Sequence, residues 1–205
     1  MMAAVKKTMG KKAVVVKNIA TQKSTNKKTM VKKPTVKNEK DQKTLVVPPI
    51  FGKLKYDDDY RAYKTKTTLK VLDKEVKVDL IISELFGVGG IEEAHCEAYN
   101  AFMENVNKIM QDVFQGIIKY QNNEWDSTDH SASFPMFKTI DDVIKNTKII
   151  SITLKIHPEK YGSFRGQRGR FIVLIFNAKW VNDDYGLLSV ALINEKVVEV
   201  TDQNI

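Results

Sequence analysis

The fold class predicted is α+β: an antiparallel sheet packed against one long helix, about 91–120, and one short helix, about 139–146, behind a disordered tail. Three patterns predict it. Phe171 to Phe176 is an unbroken apolar run of strand-favouring residues, too short for an ordinary helix and dense enough to be buried on both faces. From Thr67 to Ile82, apolar and polar residues alternate about a turn, as in a hairpin. Ile91 to Tyr120 spaces its apolar residues by three or four, which places them on one face of a helix.

Composition bounds the organisation. A chain of 205 residues with 42% apolar content suits one domain plus a tail, and no window approaches the roughly 18 to 20 consecutive apolar residues that span a bilayer. No membrane is expected. One cysteine, Cys96, excludes an internal disulfide framework, and the N-terminus lacks an apolar signal region, so a cytoplasmic home is expected, or a nuclear one in a eukaryotic host. The net charge of +8 is unevenly distributed. Residues 1–45 carry 13 lysines against Glu39 and Asp41, a local excess of 11, which leaves 20 basic and 23 acidic residues, net −3, for the rest.

That tail has no aromatic residue, and its one short apolar patch, Ala13 to Val16, cannot bury enough surface to offset the entropy of ordering. It reads as disordered over 1–45, with the domain occupying 46–205. Its paired lysines, among them Lys11, Lys12, Lys27, Lys28, Lys32 and Lys33, would neutralise phosphates without regard to sequence, or simply solubilise the chain.

Within the domain, Val46 to Ile50 with Pro48 and Pro49 reads as a stiff extended entry, and Phe51 to Tyr56 as a first strand. Leu69 and Val71, then Val76, Val78, Leu80 and Ile82, form the hairpin, with Asp73-Lys74 as its turn and Lys70, Lys77 and Asp79 on its wet face. Gly87, Gly89 and Gly90 break the strand before the long helix, which Asn122-Asn123 ends. Thr139 with Asp142 makes a capping box ahead of the short helix. Ile150, Ile152, Leu154 and Ile156 alternate as a strand that His157-Pro158 stops. After the Gly-rich stretch Tyr161 to Arg170 come the central strand, a turn at Asn182 to Gly186, and strands at Leu187 to Ile193 and Val197 to Val200.

No catalytic constellation emerges. His95 and Cys96 are helix neighbours pointing about 100° apart, so the imidazole is badly placed to activate the thiol. Three histidines and one cysteine show no zinc spacing, and Asp57, Asp58 and Asp59 lack the glycine and distal glutamate of a calcium loop. The glycines before the long helix lack the lysine of a phosphate loop, and Glu92 and Glu93 put negative charge where a phosphate would sit. No cofactor is expected.

Two surfaces remain. The acidic turns Asp57 to Asp59 and Asp183-Asp184 with Tyr185 suit a basic protein partner. In the loop 161–170, Arg165, Arg168 and Arg170 interleave with Tyr161 and Phe164, which suits a nucleic acid through phosphate contacts and base stacking.

The opening FGKLKYDDDY, the helix EAYNAFMENVNKIMQDVFQGIIKY and the close KWVNDDYGLLSVALINEKVVEV with DQNI together resemble an uncharacterised family of small bacterial cytoplasmic proteins. That family is known mainly as a domain of unknown function, sometimes in toxin–immunity neighbourhoods. The chain departs from its pattern at Val181 and Tyr185. The resemblance implies a fold over about 51–205 and a binding role. The expectation is a non-enzymatic protein-binding module of the immunity type, with nucleic-acid association through the basic tail and the 161–170 loop as the alternative.

Overall fold

The structure is a computed structural model and describes residues 48–83, 90–127, 136–178, 180–181, 186–203 and 205. The lysine-rich tail, Gly87, Gly89, His130, Asp183, Asp184 and Tyr185 lie outside the described residues.

Seven strands form one sheet in chain order: β1 Lys55–Asp57, β2 Ala62–Val71, β3 Lys74–Ser83, β4 Thr147–Lys155, β5 Phe171–Ala178, β6 Leu187–Ile193 and β7 Lys196–Thr201. Three helices, α1 Glu93–Glu104, α2 Val106–Ser127 and α3 Ile140–Asn146, lie between β3 and β4 in the chain. The fold is therefore mixed α and β, but the sheet is larger than expected and is not wholly antiparallel. β3 and β4 run parallel, with Leu80 opposite Ile152 and Ile82 opposite Leu154. Alternation reads the same in either direction, so strand patterning could not distinguish the two arrangements.

The hairpin forms with Val71 opposite Lys74, so its two turn residues are Leu72 and Asp73 rather than Asp73-Lys74. Both have left-handed backbone, φ 46° and 64°, as a two-residue hairpin turn requires. The entry also differs from expectation. Pro49–Phe51 is a turn of 3₁₀ helix, and Gly52 at φ 64° redirects the chain, so strand pairing begins only at Lys55.

The long helix expected over 91–120 is two helices. At Asn105, φ −116° and ψ 14°, the backbone N–H bonds to the Phe102 carbonyl three residues back, and the side-chain amide bonds to the Ala101 carbonyl at 3.1 Å. An asparagine side chain competes for backbone partners in this way. Phe102 and Ile109 are both buried, so the apolar spacing carries across the break and hides it from a periodicity reading. Nor do Asn122 and Asn123 end α2, which runs to Ser127. Gln121 and Asn122 instead tie down the following segment: the Phe137 N–H donates to Gln121 Oε1 at 2.9 Å, and Asn122 Nδ2 donates to the Phe137 carbonyl at 3.0 Å. The capping box at α3 forms as read, the Thr139 N–H donating to Asp142 Oδ2 at 2.8 Å and the Asp142 N–H to Thr139 Oγ1.

One sheet face packs under the helices. Leu80, Ile152, Leu174 and Val190 meet Phe102, Met110, Val113 and Ile117 in the main core. Gly116 lets α2 approach β7 closely, since a Cβ there would lie 3.3 Å from methyls of Val197 and Val200. β5 is buried on both sides: Ile172, Leu174 and Phe176 belong to the main core, Phe171 and Val173 to a smaller cluster on the other face.

That second cluster is closed by the 161–170 loop. Phe164 is 3% exposed, with its ring 4.9 Å from that of Phe171, and Tyr161 lies 5.3 Å from the same ring. The loop is fastened to the β6–β7 turn. Arg170 donates to both carboxylate oxygens of Glu195, at 2.8 and 2.7 Å, while the Arg170 N–H donates to Asn194 Oδ1 at 3.1 Å. Gly169 sits at φ 132°, and a Cβ there would overlap the Asn194 carboxamide. Gly169→Ala is therefore expected to destabilise the fold by about 1–3 kcal/mol and to speed proteolysis within 161–170. An unchanged urea midpoint together with unchanged cleavage would show that the loop is not held this way.

Candidate functional site

The acidic turn after β1 is built by its first residue. Asp57 Oδ1 accepts from the Tyr60 N–H at 3.2 Å and its Oδ2 accepts from Lys64 Nζ at 2.8 Å. The Lys64 hydrogen bond, with the Tyr60 N–H helping, holds the Asp57 carboxyl below the usual range. Arg61, at φ 47°, returns the chain into β2. Asp57 is thus consumed in building the turn, whereas Asp58 and Asp59 stand exposed at its tip. Tyr60 is 72% exposed, with Lys64 Nζ 3.8 Å from its ring centre, and Tyr56 is 43% exposed with its ring 4.8 Å from that of Tyr63. The adjacent sheet face is mixed in charge: Lys53, Lys55, Lys64, Lys66, Asp57 and Asp79 border one shallow depression, and Lys66 pairs with Asp79. Sequence reasoning weighed the three aspartates and missed the tyrosines. Their flanking positions in Tyr-Asp-Asp-Asp-Tyr were the available signal, because an aromatic residue next to a polar turn has little core to enter.

The arginine loop also closes a core. Its aromatic residues cover the second sheet face, and Arg170 is paired with Glu195, which keeps its guanidinium more firmly protonated. Of the three arginines, Arg165 and Arg168 are exposed. Lys155 Nζ lies 4.5 Å from the Tyr161 ring centre and donates to the Ile205 carbonyl at 2.5 Å; burial lowers its proton affinity. Burial also raises the proton affinity of the Tyr161 phenolate.

His95 and Cys96 do not act together. His95 is 1% exposed and completes the N-terminal cap of α1, its Nδ1 accepting from the Glu92 N–H at 3.0 Å. This acceptor role leaves the proton of the neutral ring on the buried Nε2, whose approach to the Ser83 backbone falls short of a well-formed hydrogen bond. Burial holds the imidazole below its ordinary pKa, and the Ser83 backbone opposes that only in part. Cys96 is half-buried, and its thiol is pushed up by burial and by Glu93, the opposite of an activated nucleophile. Trp180 packs just beyond the end of β5, its ring edge-on to Phe137 at 5.5 Å. Among the described residues, no group of three or more His, Cys, Asp or Glu could hold a metal ion, and no helix is long and apolar enough to cross a membrane.

These features define a single-sheet α/β domain whose distinctive exposed element is an acid–tyrosine turn on an edge strand. The chain belongs to the family described as domain of unknown function DUF6985, whose model matches residues 50–205. No curated protein and no solved structure matches the chain.

The state of His95 makes stability depend on pH. An unfolded histidine takes up a proton near pH 6.5, and the folded one does so only at lower pH. As pH falls through that window the unfolded chain binds more protons, so stability is full above about pH 6.5 and declines below it. Urea midpoints measured from pH 7.5 to 5 should fall for the wild type and fall less steeply for His95→Gln. Identical slopes would mean that His95 is protonated as readily folded as unfolded.

Proposed function

We propose that this chain is a non-enzymatic protein-binding module that presents the turn Asp57 to Tyr60 to a basic partner. One observation carries the reading: Tyr60 is 72% exposed at the tip of a built turn, beside the exposed Asp58 and Asp59. Tyrosine supplies large contact area at low entropic cost and is enriched among residues that dominate binding energy. Aspartates beside it would steer a cationic partner and set the salt dependence of association. Because Asp57 is engaged with Lys64 and Tyr60, the turn arrives pre-shaped and loses little freedom on binding. In this reading the protein is cytoplasmic and bacterial, of the immunity type, and its partner is a basic protein rather than a membrane.

Nucleic-acid association is the second reading. Among the described residues it is favoured by the exposed Arg165 and Arg168 alone.

The test is a photo-crosslinking residue placed at position 60 of the intact chain, with one at position 77 on the outer hairpin face as control. A discrete protein adduct is expected from position 60 only, reduced at high salt and lost when Asp58→Lys and Asp59→Lys are introduced. With the partner in hand, Tyr60→Ala should cost about 2 kcal/mol of binding, roughly 30-fold in Kd, without lowering stability. Equal adducts from both positions, or adducts indifferent to the charge reversal, would overturn the reading. Adducts abolished by nuclease would favour the second.

A further inference from the structure

Away from the tyrosine turn, a groove of about 390 Å³ opens where α2, α3, the β2–β3 turn and the facing ends of β4 and β5 meet. Its volume lies within the range of small-molecule sites, about 300–1,000 Å³. Its interior is apolar: Met110 and Phe114 come from α2, Ile144 from α3, Leu72 and Val76 from the hairpin, and Phe176 from β5. The charged residues lining it are Lys74, Lys148 and Asp141, all exposed, giving one net positive charge.

Two local features shape its rim. The Leu72 N–H donates to Asn107 Oδ1 at 3.1 Å, tying the hairpin tip to α2. Leu72 also has φ 46°, a left-handed conformation in which glycine or asparagine is favoured and leucine is strained. A leucine kept there lends the groove an aliphatic wall that neither favoured residue would provide. The lining is mainly apolar, Thr147 being its one uncharged polar residue, so the groove suits the apolar body of a ligand whose charged end stays at the lysines.

We propose that this groove binds a small amphipathic monocarboxylate, its apolar body against Leu72, Val76 and Ile144, with the buried Met110 and Phe114 beneath, and its carboxylate at Lys74 and Lys148. Asp141 attracts a cationic head, against the repulsion of the two lysines, and tempers their attraction for an anionic one, so the preference is modest and measurable. The site is independent of the tyrosine turn.

The test compares decanoate, decanol and decylammonium, equal in chain length and different in head-group charge, in titrations of the intact protein followed by methyl NMR. Saturable shifts of the Leu72 and Ile144 methyls are expected, with decanoate tightest and decylammonium weakest. The exposed double substitution Lys74→Glu with Lys148→Glu should weaken decanoate about tenfold and bring decylammonium level with it or ahead. Ile144→Trp should fill the groove and abolish all three, while the lysine variants keep the test valid should that variant misfold. Absence of saturable shifts at millimolar decanoate, equal affinity for decylammonium, or decanoate binding unchanged by the lysine reversal would each overturn the proposal.

Discussion

The parallel pairing of β3 with β4 is the constraint on which the rest of this fold depends. A parallel neighbour cannot be reached through a tight turn, so the chain leaving Ser83 must cross the sheet before it returns at Thr147. The crossing contains α1, α2 and α3, whose apolar faces cover one side of the sheet. Without that pairing the three strands before the crossing and the four after it would be separate antiparallel units. Each would expose an unpaired edge, at β3 and at β4, in the region where the core is now most deeply buried. Leu80, Ile82, Ile152 and Leu154, all at or below 1% exposure, are the residues this pairing brings together.

The two faces of the sheet are then finished by different means. Helices cover one. On the other, a short connection folds back so that Tyr161 and Phe164 shield Phe171, held by Arg170 on Glu195 and by the Asn194 side chain. Aromatic and cationic residues that look like a nucleic-acid surface in one dimension are thereby largely engaged in closing a core. Among the described residues, the surface features the fold presents include the tip of the β1–β2 connection, with its exposed tyrosine and two aspartates, and the groove beneath the β2–β3 turn.

Much of this was legible in the residues. The six-residue apolar run at Phe171 could only be a strand buried on both sides, and alternation marked both members of the hairpin. Thr139 and Asp142 announced α3 through capping chemistry that needs no tertiary context. Strand direction was not legible, because a period of two is blind to it. The break at Asn105 escaped because the apolar spacing continues through it. Asn122 misled for a related reason: an amide that can end a helix can also, as here, bond the Phe137 backbone and let the helix run on. For the surfaces, the aspartates of the first turn were visible in the sequence. Which of them is consumed in building the turn depends on Lys64, seven residues away across the β1–β2 pair.

The parallel register is most directly tested by backbone NOEs between β3 and β4. The account predicts interstrand contacts between amide and α protons that place Leu80 against Ile152 and Ile82 against Leu154, advancing in the same direction along both strands. An antiparallel progression of contacts, or none between the two strands, would contradict it and with it the groove between the hairpin and β4.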